Sequence, residues 1–427
     1  MKITKTKLDF IREKLTAPFG FKGNHLNELW QVVTELSTER FSAQSSSVQS
    51  VLWADSAVFA SASPAATNSM MLLVTSKALS LLEGEEFSNP KEALELIMPK
   101  LVDYASTVCG RKTEPTFVLN SLVGVDLALW SLFAKETGAA TFDDIIPEHA
   151  RGAMSAKNPS LVKIPLISYN VGNYGIKALL DGGASLLKIK IGAGTAGKTK
   201  DEDMHLMVEA DKKRLYDIHR LACNYNSPYT KSGKILYYLD ANGRYDSIKR
   251  LRELLDFADE IGALENIAVL EEPFPIGDMT DVSSLPVVVA ADESAHSLED
   301  VKARLSLGYK AVALKPIAKT LTVSFDMAAA AFDVGASCFC ADLTVNPLLT
   351  EWNKQFAARL SPLPGMICGC VEVNGDMNYI NWHEMKKYLP DGYPYTEENN
   401  GVFKTDDNFF DRGLRLFNEN GYKSILL

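Results

Sequence analysis

Eight short apolar runs, each ending in polar residues and separated by helical stretches, constrain the fold of this chain most. They are Val162 to Tyr169, Ser185 to Ile191, Ile235 to Ala241, Ile267 to Glu272, Val287 to Asp292, Tyr309 to Lys315, Ala336 to Asp342 and Met366 to Glu372. Runs that are apolar on both faces and alternate with helices belong to a parallel sheet covered on both sides. Eight of them favour a closed β/α barrel over an open sheet. Upstream, Leu94, Ile97, Met98, Leu101 and Val102 recur at helical spacing, and so do Val123, Leu127, Trp130, Leu132 and Phe133 before Gly138 stops the pattern. The Ser/Ala-rich stretch Ser42 to Ser69, broken by Val48, Val51, Leu52, Trp53, Val58 and Phe59, reads as strands and a loop.

The polar residues at the run ends carry the chemistry, because strand C-termini surround the active site of a β/α barrel. Successive runs supply Lys188 and Lys190, then Asp240, Glu271, Asp292 and Lys315. Carboxylates at neighbouring strand ends repel one another unless they share a cation. An oxygen-only donor set favours Mg²⁺, which keeps octahedral positions open for water and substrate. Taken singly, each acid could be a solvated helix cap, but three in consecutive units make that reading weak.

Lys188 and Lys190 share a strand face by their period-two spacing. A lysine buried against the helix layer is costly, which places the pair in the barrel interior near its open end. Lys315 ends a run several strands further round and approaches from the opposite wall. Beside Mg²⁺ and a second lysine, an ammonium loses its proton more readily and becomes a usable base.

With 427 residues, 46% hydrophobic and 23% charged, the chain can hold a large core plus a smaller unit. A formal net charge of -10 argues against a nucleic-acid partner. No apolar run long enough to cross a bilayer is expected, and the start Met1-Lys2-Ile3-Thr4-Lys5 lacks the apolar region of a signal peptide, so a cytoplasmic protein with no membrane partner is expected. The six cysteines should then be thiols. Cys338, Cys340, Cys368 and Cys370, on the last two strands, could in principle gather around zinc, but the same spacing suits small buried barrel residues. His205, His219, His296 and His383 show no ligand spacing. The glycine-flanked loop with Phe19 and Phe21 is either a lid over the barrel mouth or an ordinary strand connection.

Taken together, Lys188-Ile189-Lys190, Asp240-Ala241-Asn242, Glu271-Glu272-Pro273, Asp292-Glu293-Ser294 and Lys315 resemble the enolase superfamily, in its mandelate racemase/muconate lactonizing enzyme branch. Asp126-Leu127-Ala128-Leu129-Trp130 is similar to a helix of that family's capping domain. The resemblance implies an α/β fold: a modified (β/α)7β TIM-type barrel with an α+β capping domain. The expected divisions are 1–150 for the cap, 151–372 for the barrel and 373–427 for a tail returning to the cap.

The resemblance also implies roles. Asp240, Glu271 and Asp292 would hold Mg²⁺, Lys190 and Lys315 would be the two acid/base groups, and Lys188 would assist beside the substrate carboxylate. Asn242, Glu293, Glu372 and Asn374, with Phe19 and Phe21, are the candidate substrate contacts. The partners expected are a small carboxylate substrate and further copies of the chain in a homo-oligomer. Two departures bear on substrate. Where dipeptide epimerases of the branch carry Asp-x-Asp on the eighth strand, this chain has Glu372-Val373-Asn374-Gly375. The Gly-Gly after the sixth-strand lysine is replaced by Pro316-Ile317-Ala318-Lys319-Thr320, and Leu314-Lys315-Pro316 is more similar to the o-succinylbenzoate synthase and N-acylamino acid racemase group. Racemisation or epimerisation of an amino-acid derivative or dipeptide is expected first. Elimination, as in o-succinylbenzoate synthases or acid-sugar dehydratases, comes second. A non-catalytic barrel that binds metal and carboxylate is the alternative of another class.

Overall fold

The computed structural model describes residues 1–21, 24–194, 199–390, 392–412, 414 and 416, with the side chains of residues 19–21 excepted. The chain opens with an antiparallel meander of β1 (Lys5–Phe21), β2 (Asn24–Ser37) and β3 (Ser42–Gln49). Three long helices follow, Pro64–Leu82, Pro90–Cys109 and Pro115–Thr137. Each has proline in its first turn, where the missing N–H costs nothing. The Ser63 and Asn89 side chains cap the first two, and Gly110 and Gly138, both at positive φ, end the last two.

The helix Pro64–Leu82 begins inside the stretch Ser42 to Ser69 expected to hold strands and a loop, and the short helices Val51–Ala54 and Ser56–Phe59 lie there too. The Ala/Ser/Thr-rich sequence of Pro64–Leu82 has little amphipathic contrast, so periodicity could not reveal it, although Ser63-Pro64 is a helix-start signal. The helix Pro115–Thr137 also corrects an expectation, being long and apolar enough to cross a bilayer. Here it is a core helix, buried along most of its length. A Cβ on Gly124 would stand 3.2 Å from Ser47 Oγ and Thr34 Oγ1, closer than ordinary contact, so glycine eases the approach of the helix to the sheet.

Among the described residues the second sheet has ten strands, in the order β13-β4-β12-β11-β10-β9-β8-β7-β6-β5. They are β4 (Ser160–Ile164), β5 (Leu166–Ile167), β6 (Leu186–Lys190), β7 (Leu236–Asp240) and β8 (Ile267–Glu271). The series continues with β9 (Val289–Ala291), β10 (Ala311–Leu314), β11 (Ser337–Cys340), β12 (Gly369–Glu372) and β13 (Val402–Lys404). β4 and β5 are halves of one strand broken at Pro165; β4 pairs with β12 and β5 with β6, both parallel, which closes the barrel. β13 is an added antiparallel partner of β4. Eight parallel staves remain, the eight runs of the sequence.

Val162, Ile164, Leu186, Tyr238, Val269, Ala290, Ala313, Phe339 and Cys370 fill the barrel interior. Small residues at Ala268, Ala290, Ala311, Ala313 and Ala341 leave room for the rings of Tyr238 and Phe339, which meet edge to face. Cys368 and Cys370 belong to this interior, whereas Cys338 and Cys340 pack into the outer core. The two pairs face different layers, so the four thiols cannot share a zinc ion.

The two sheets are tied together at the residues that matter. Buried Asp126 accepts hydrogen bonds from Leu321 N (2.7 Å), Thr322 N (3.1 Å) and Thr322 Oγ1 (2.5 Å). It thereby caps the barrel helix Leu321–Asp333. Beyond β12, Leu15 bridges Tyr379, and the Tyr379 hydroxyl accepts from Gln31 Nε2 and donates to the Thr344 carbonyl. Asn381 Nδ2 donates to Glu13. This segment therefore touches the N-terminal sheet before the chain returns to the barrel edge as β13.

Candidate active site

Reading across the C-terminal rim, β6 carries Lys188 and Lys190, β7 carries Tyr238 and Asp240, and β8 carries Glu271. Asp292 and Lys315 directly follow β9 and β10, Asp342 lies two residues beyond β11, and Glu372 ends β12. Parallel register sets Lys190 beside Asp240 and Asp240 beside Glu271. Lys188, Lys190, Asp240, Asn242, Asp292, Glu293, Lys315, Glu372 and Asn374 line one cavity. Leu26, Leu29, Ser50 and Trp53 close it from the N-terminal side. The Phe19 and Phe21 side chains lie outside the described residues; the backbone there is the end of β1, joined to β2.

The three carboxylates are buried, at 0% exposure for Asp240 and Glu271 and 1% for Asp292, so they need partners. Lys188 Nζ stands 3.0 Å from Asp240 Oδ2, 3.1 Å from Glu271 Oε1 and 3.1 Å from Glu372 Oε2. Lys190 Nζ is 2.6 Å from Asp240 Oδ2 and also bonds Asn242 Oδ1. Lys315 Nζ meets Asp292 Oδ2 at 2.5 Å, with the Trp53 ring centroid 4.9 Å away. Among the described residues no three acidic, His or Cys side chains stand in metal-ligating geometry. Each of the three carboxylates is paired with at least one lysine ammonium.

The carboxylates around Lys188 and Lys315 set the pKa of both lysines in this arrangement. Burial alone would lower Lys188 and Lys315, but the surrounding carboxylates outweigh it and raise both. Burial likewise disfavours the Asp292 anion, yet Lys315, Lys319 and Lys188 hold its pKa well below the usual range. Glu271 is pushed up to about 7, chiefly by burial, with Lys188 opposing. Tyr238 donates its hydroxyl to Glu271 Oε2.

The loops after β7 and β8 are held in unusual conformations, with Asn242 at φ 44 and Glu272 at φ 40. Glu272 Oε2 accepts from Asp292 N (2.7 Å) and Ser294 Oγ (3.0 Å), which fixes the turn that presents Asp292. Asn242 Nδ2 donates to Glu293 Oε1 at 3.0 Å, while the buried Glu293 Oε2 has no protein partner.

Four residues of the site were not singled out from sequence. Tyr238 and Asp342 were within reach: one shares the face of Asp240 two residues earlier, and the other ends the seventh run. Trp53 comes from a short helix, Val51–Ala54, in another part of the chain, and Lys319 lies five residues beyond the end of β10. Neither leaves a local signal.

No family model matches the sequence, and no curated protein matches it. Solved structures do match. The mandelate racemase/muconate lactonizing protein from Herpetosiphon aurantiacus superposes with a TM-score of 0.67 at 16% identity, covering 98% of this chain and 98% of that one. The chain has the fold of the enolase superfamily. Within that superfamily fold, the L-Ala-D/L-Glu epimerase from Bacillus subtilis, in a substrate-liganded complex, gives 0.65 at 16% identity, covering 95% of this chain and 96% of its own. The dipeptide epimerase from Cytophaga hutchinsonii, complexed with Mg and the dipeptide D-Ala-L-Val, gives 0.66 at 15% identity, covering 95% and 93%.

Proposed function

We propose that this protein is a Mg²⁺-dependent enzyme that removes the proton α to a substrate carboxylate, and that it racemises or epimerises an amino-acid derivative or dipeptide. The observation that carries the reading is the placement of Lys190 and Lys315. They end the second and sixth of eight staves, half a turn of the barrel apart, and line one cavity.

By donor chemistry, the residues present suit a divalent cation. Asp240, Glu271 and Asp292 form a buried, oxygen-only set on consecutive staves, and the unpartnered Glu293 Oε2 adds a further acceptor beside them. The convergence of ammonium groups on these oxygens marks where the site demands positive charge. A bound Mg²⁺ would supply charge at the substrate carboxylate, where negative charge builds as the α-proton leaves. Lys190 and Lys315 would then turn from the carboxylates toward the substrate, one taking the α-proton and the other returning a proton to the opposite face. Lys188, held by three carboxylates and the Tyr238 hydroxyl at 3.0 Å, keeps its charge beside the substrate carboxylate.

At the far side of the cavity, Asp342 and Glu372 favour an amino-acid derivative. Asn374 N donates to Asp342 Oδ2 at 2.8 Å and Asp342 N to Glu372 Oε2 at 3.1 Å, so the backbone holds two carboxylates side by side. Such a pair suits a substrate ammonium. The structural similarity to dipeptide epimerases supports the same class. Residues 1–150 would act as the cap and 151–372 as the catalytic barrel, with the segment after Glu372 meeting the cap before it rejoins the barrel edge through β13.

The test is to incubate the protein with Mg²⁺ in D₂O with dipeptides, N-acyl amino acids and hydroxy acids, and to follow α-hydrogen exchange by NMR. Exchange into a dipeptide or acyl amino acid supports the proposal. Product formation by loss of a β-substituent would favour elimination, and absence of exchange across all classes would favour a non-catalytic barrel.

A further inference from the structure

The chain carries a lysine that touches the proposed metal site from behind. Lys319 is fully buried, at 0% exposure, and does not line the cavity. Its ammonium donates to the Asp292 carbonyl (2.6 Å), to Asp292 Oδ1 (3.0 Å) and to the Ala295 carbonyl (3.0 Å). An ammonium has three hydrogens, and here all three are taken. Two acceptors are main-chain carbonyls that no ligand can displace without moving the loop after β9. The adjoining Thr320 sits at φ 76, an unfavourable value for a β-branched residue, and its hydroxyl caps the next helix at Val323 N. Backbone strain is therefore accepted at the point where the Lys319 stem turns into the loop.

Lys315 differs in each respect. It reaches Asp292 through the other oxygen, lines the cavity and has open space to turn into. Asp292 is thus held between a movable cation on Oδ2 and a fixed one on Oδ1.

Resting on the proposed function, we infer that Lys319 is a built-in counter-cation of the metal site. It restricts Asp292 to one available oxygen, Oδ2, and its ammonium, fixed in place by three contacts, weakens the hold of the site on a divalent cation when no substrate carboxylate is present. A fixed positive charge within a few ångströms of a bound cation, in a buried site, opposes binding strongly. The substrate carboxylate then supplies the missing negative charge, so that metal and substrate bind tightly only together.

The experiment is calorimetric titration of Mn²⁺ into the wild type, Lys319→Met and Lys319→Gln, with and without a carboxylate ligand that the wild type binds. Lys319→Gln keeps an amide donor for the loop carbonyls and serves if the methionine variant fails to fold. Both variants should bind Mn²⁺ alone at least about tenfold more tightly than the wild type, and ligand carboxylate should tighten Mn²⁺ binding less in them. The electron paramagnetic resonance spectrum of bound Mn²⁺ should also change, because Asp292 can then offer both oxygens. Unchanged or weaker Mn²⁺ binding by both variants, with the wild type binding normally, overturns the role of Lys319 and leaves the proposed function standing. Absence of Mn²⁺ binding in all three proteins, with ligand present, overturns the proposed function itself.

Discussion

Lys190 and Lys315 face one another across a single cavity, four staves apart in a barrel of eight, and each is paired with a different carboxylate: Lys190 with Asp240 and Lys315 with Asp292. The pairing gives each lysine a resting partner on its own wall. Under the proposed function, a substrate entering between them would meet one lysine on each side of its α-carbon.

Asp292 answers two buried ammonium groups, Lys315 and Lys319, exposed 5% and 0%. Asp292→Asn keeps the shape and removes the charge. In metal-free protein this should cost about 3–5 kcal/mol, because breaking a buried pair leaves uncompensated charge. Urea unfolding with a chelator present measures it. A midpoint equal to that of the wild type would mean the two lysines are not charged there.

Asp342 makes stability depend on pH. Burial first, and then the charge of Glu372, pushes its carboxyl up to about 7, against about 3.9 in an unfolded chain. A folded-state pKa above the unfolded value means that the fold keeps a proton the unfolded chain has released. Stability from this group is therefore full below about pH 4 and declines as pH rises toward 7. Asp342→Asn removes the titration, so its stability relative to the wild type should improve steadily between those pH values, whatever the constant offset. Parallel pH profiles from urea unfolding would contradict this.

Trp53, 6% exposed, lays its ring against Lys315 and joins the wall of the cavity. Trp53→Ala should lower kcat/KM roughly tenfold, as expected for loss of a desolvated cation–π contact worth about 1–2 kcal/mol. The loss should be greater for the stereoisomer deprotonated by Lys315, and Trp53→Phe should restore part of it. Equal losses for both stereoisomers would argue that Trp53 only fills space.

Much of this site was legible because a β/α barrel converts sequence order into angular position. Once eight runs are recognised, the polar residues at the end of each have to lie at the rim, and Asp240, Glu271, Asp292 and Lys315 follow. The same rule covers Asp342. What stayed hidden depends on contacts between distant segments. Trp53 reaches the rim only because the N-terminal sheet and the helix Pro115–Thr137 dock on the barrel, through links such as Asp126 to Thr322. Nor can spacing show which carboxylate each lysine pairs with, since Lys188 reaches across three strand ends while Lys315 meets Asp292. The helix Pro64–Leu82 escaped for a simpler reason: alanine, serine and threonine form a helix here without marking its buried face.

The most direct test of the account compares Lys190→Ala and Lys315→Ala with the wild type, following α-hydrogen exchange in D₂O for each stereoisomer of a substrate found by the screen. A positioned proton-transfer group contributes about 10²–10⁴ in rate. Each variant should therefore lose exchange by about that factor for one stereoisomer while keeping some for the other, and the two variants should show opposite preferences. Both variants keeping near-wild-type turnover, or both losing the same stereoisomer, would contradict the two-lysine mechanism.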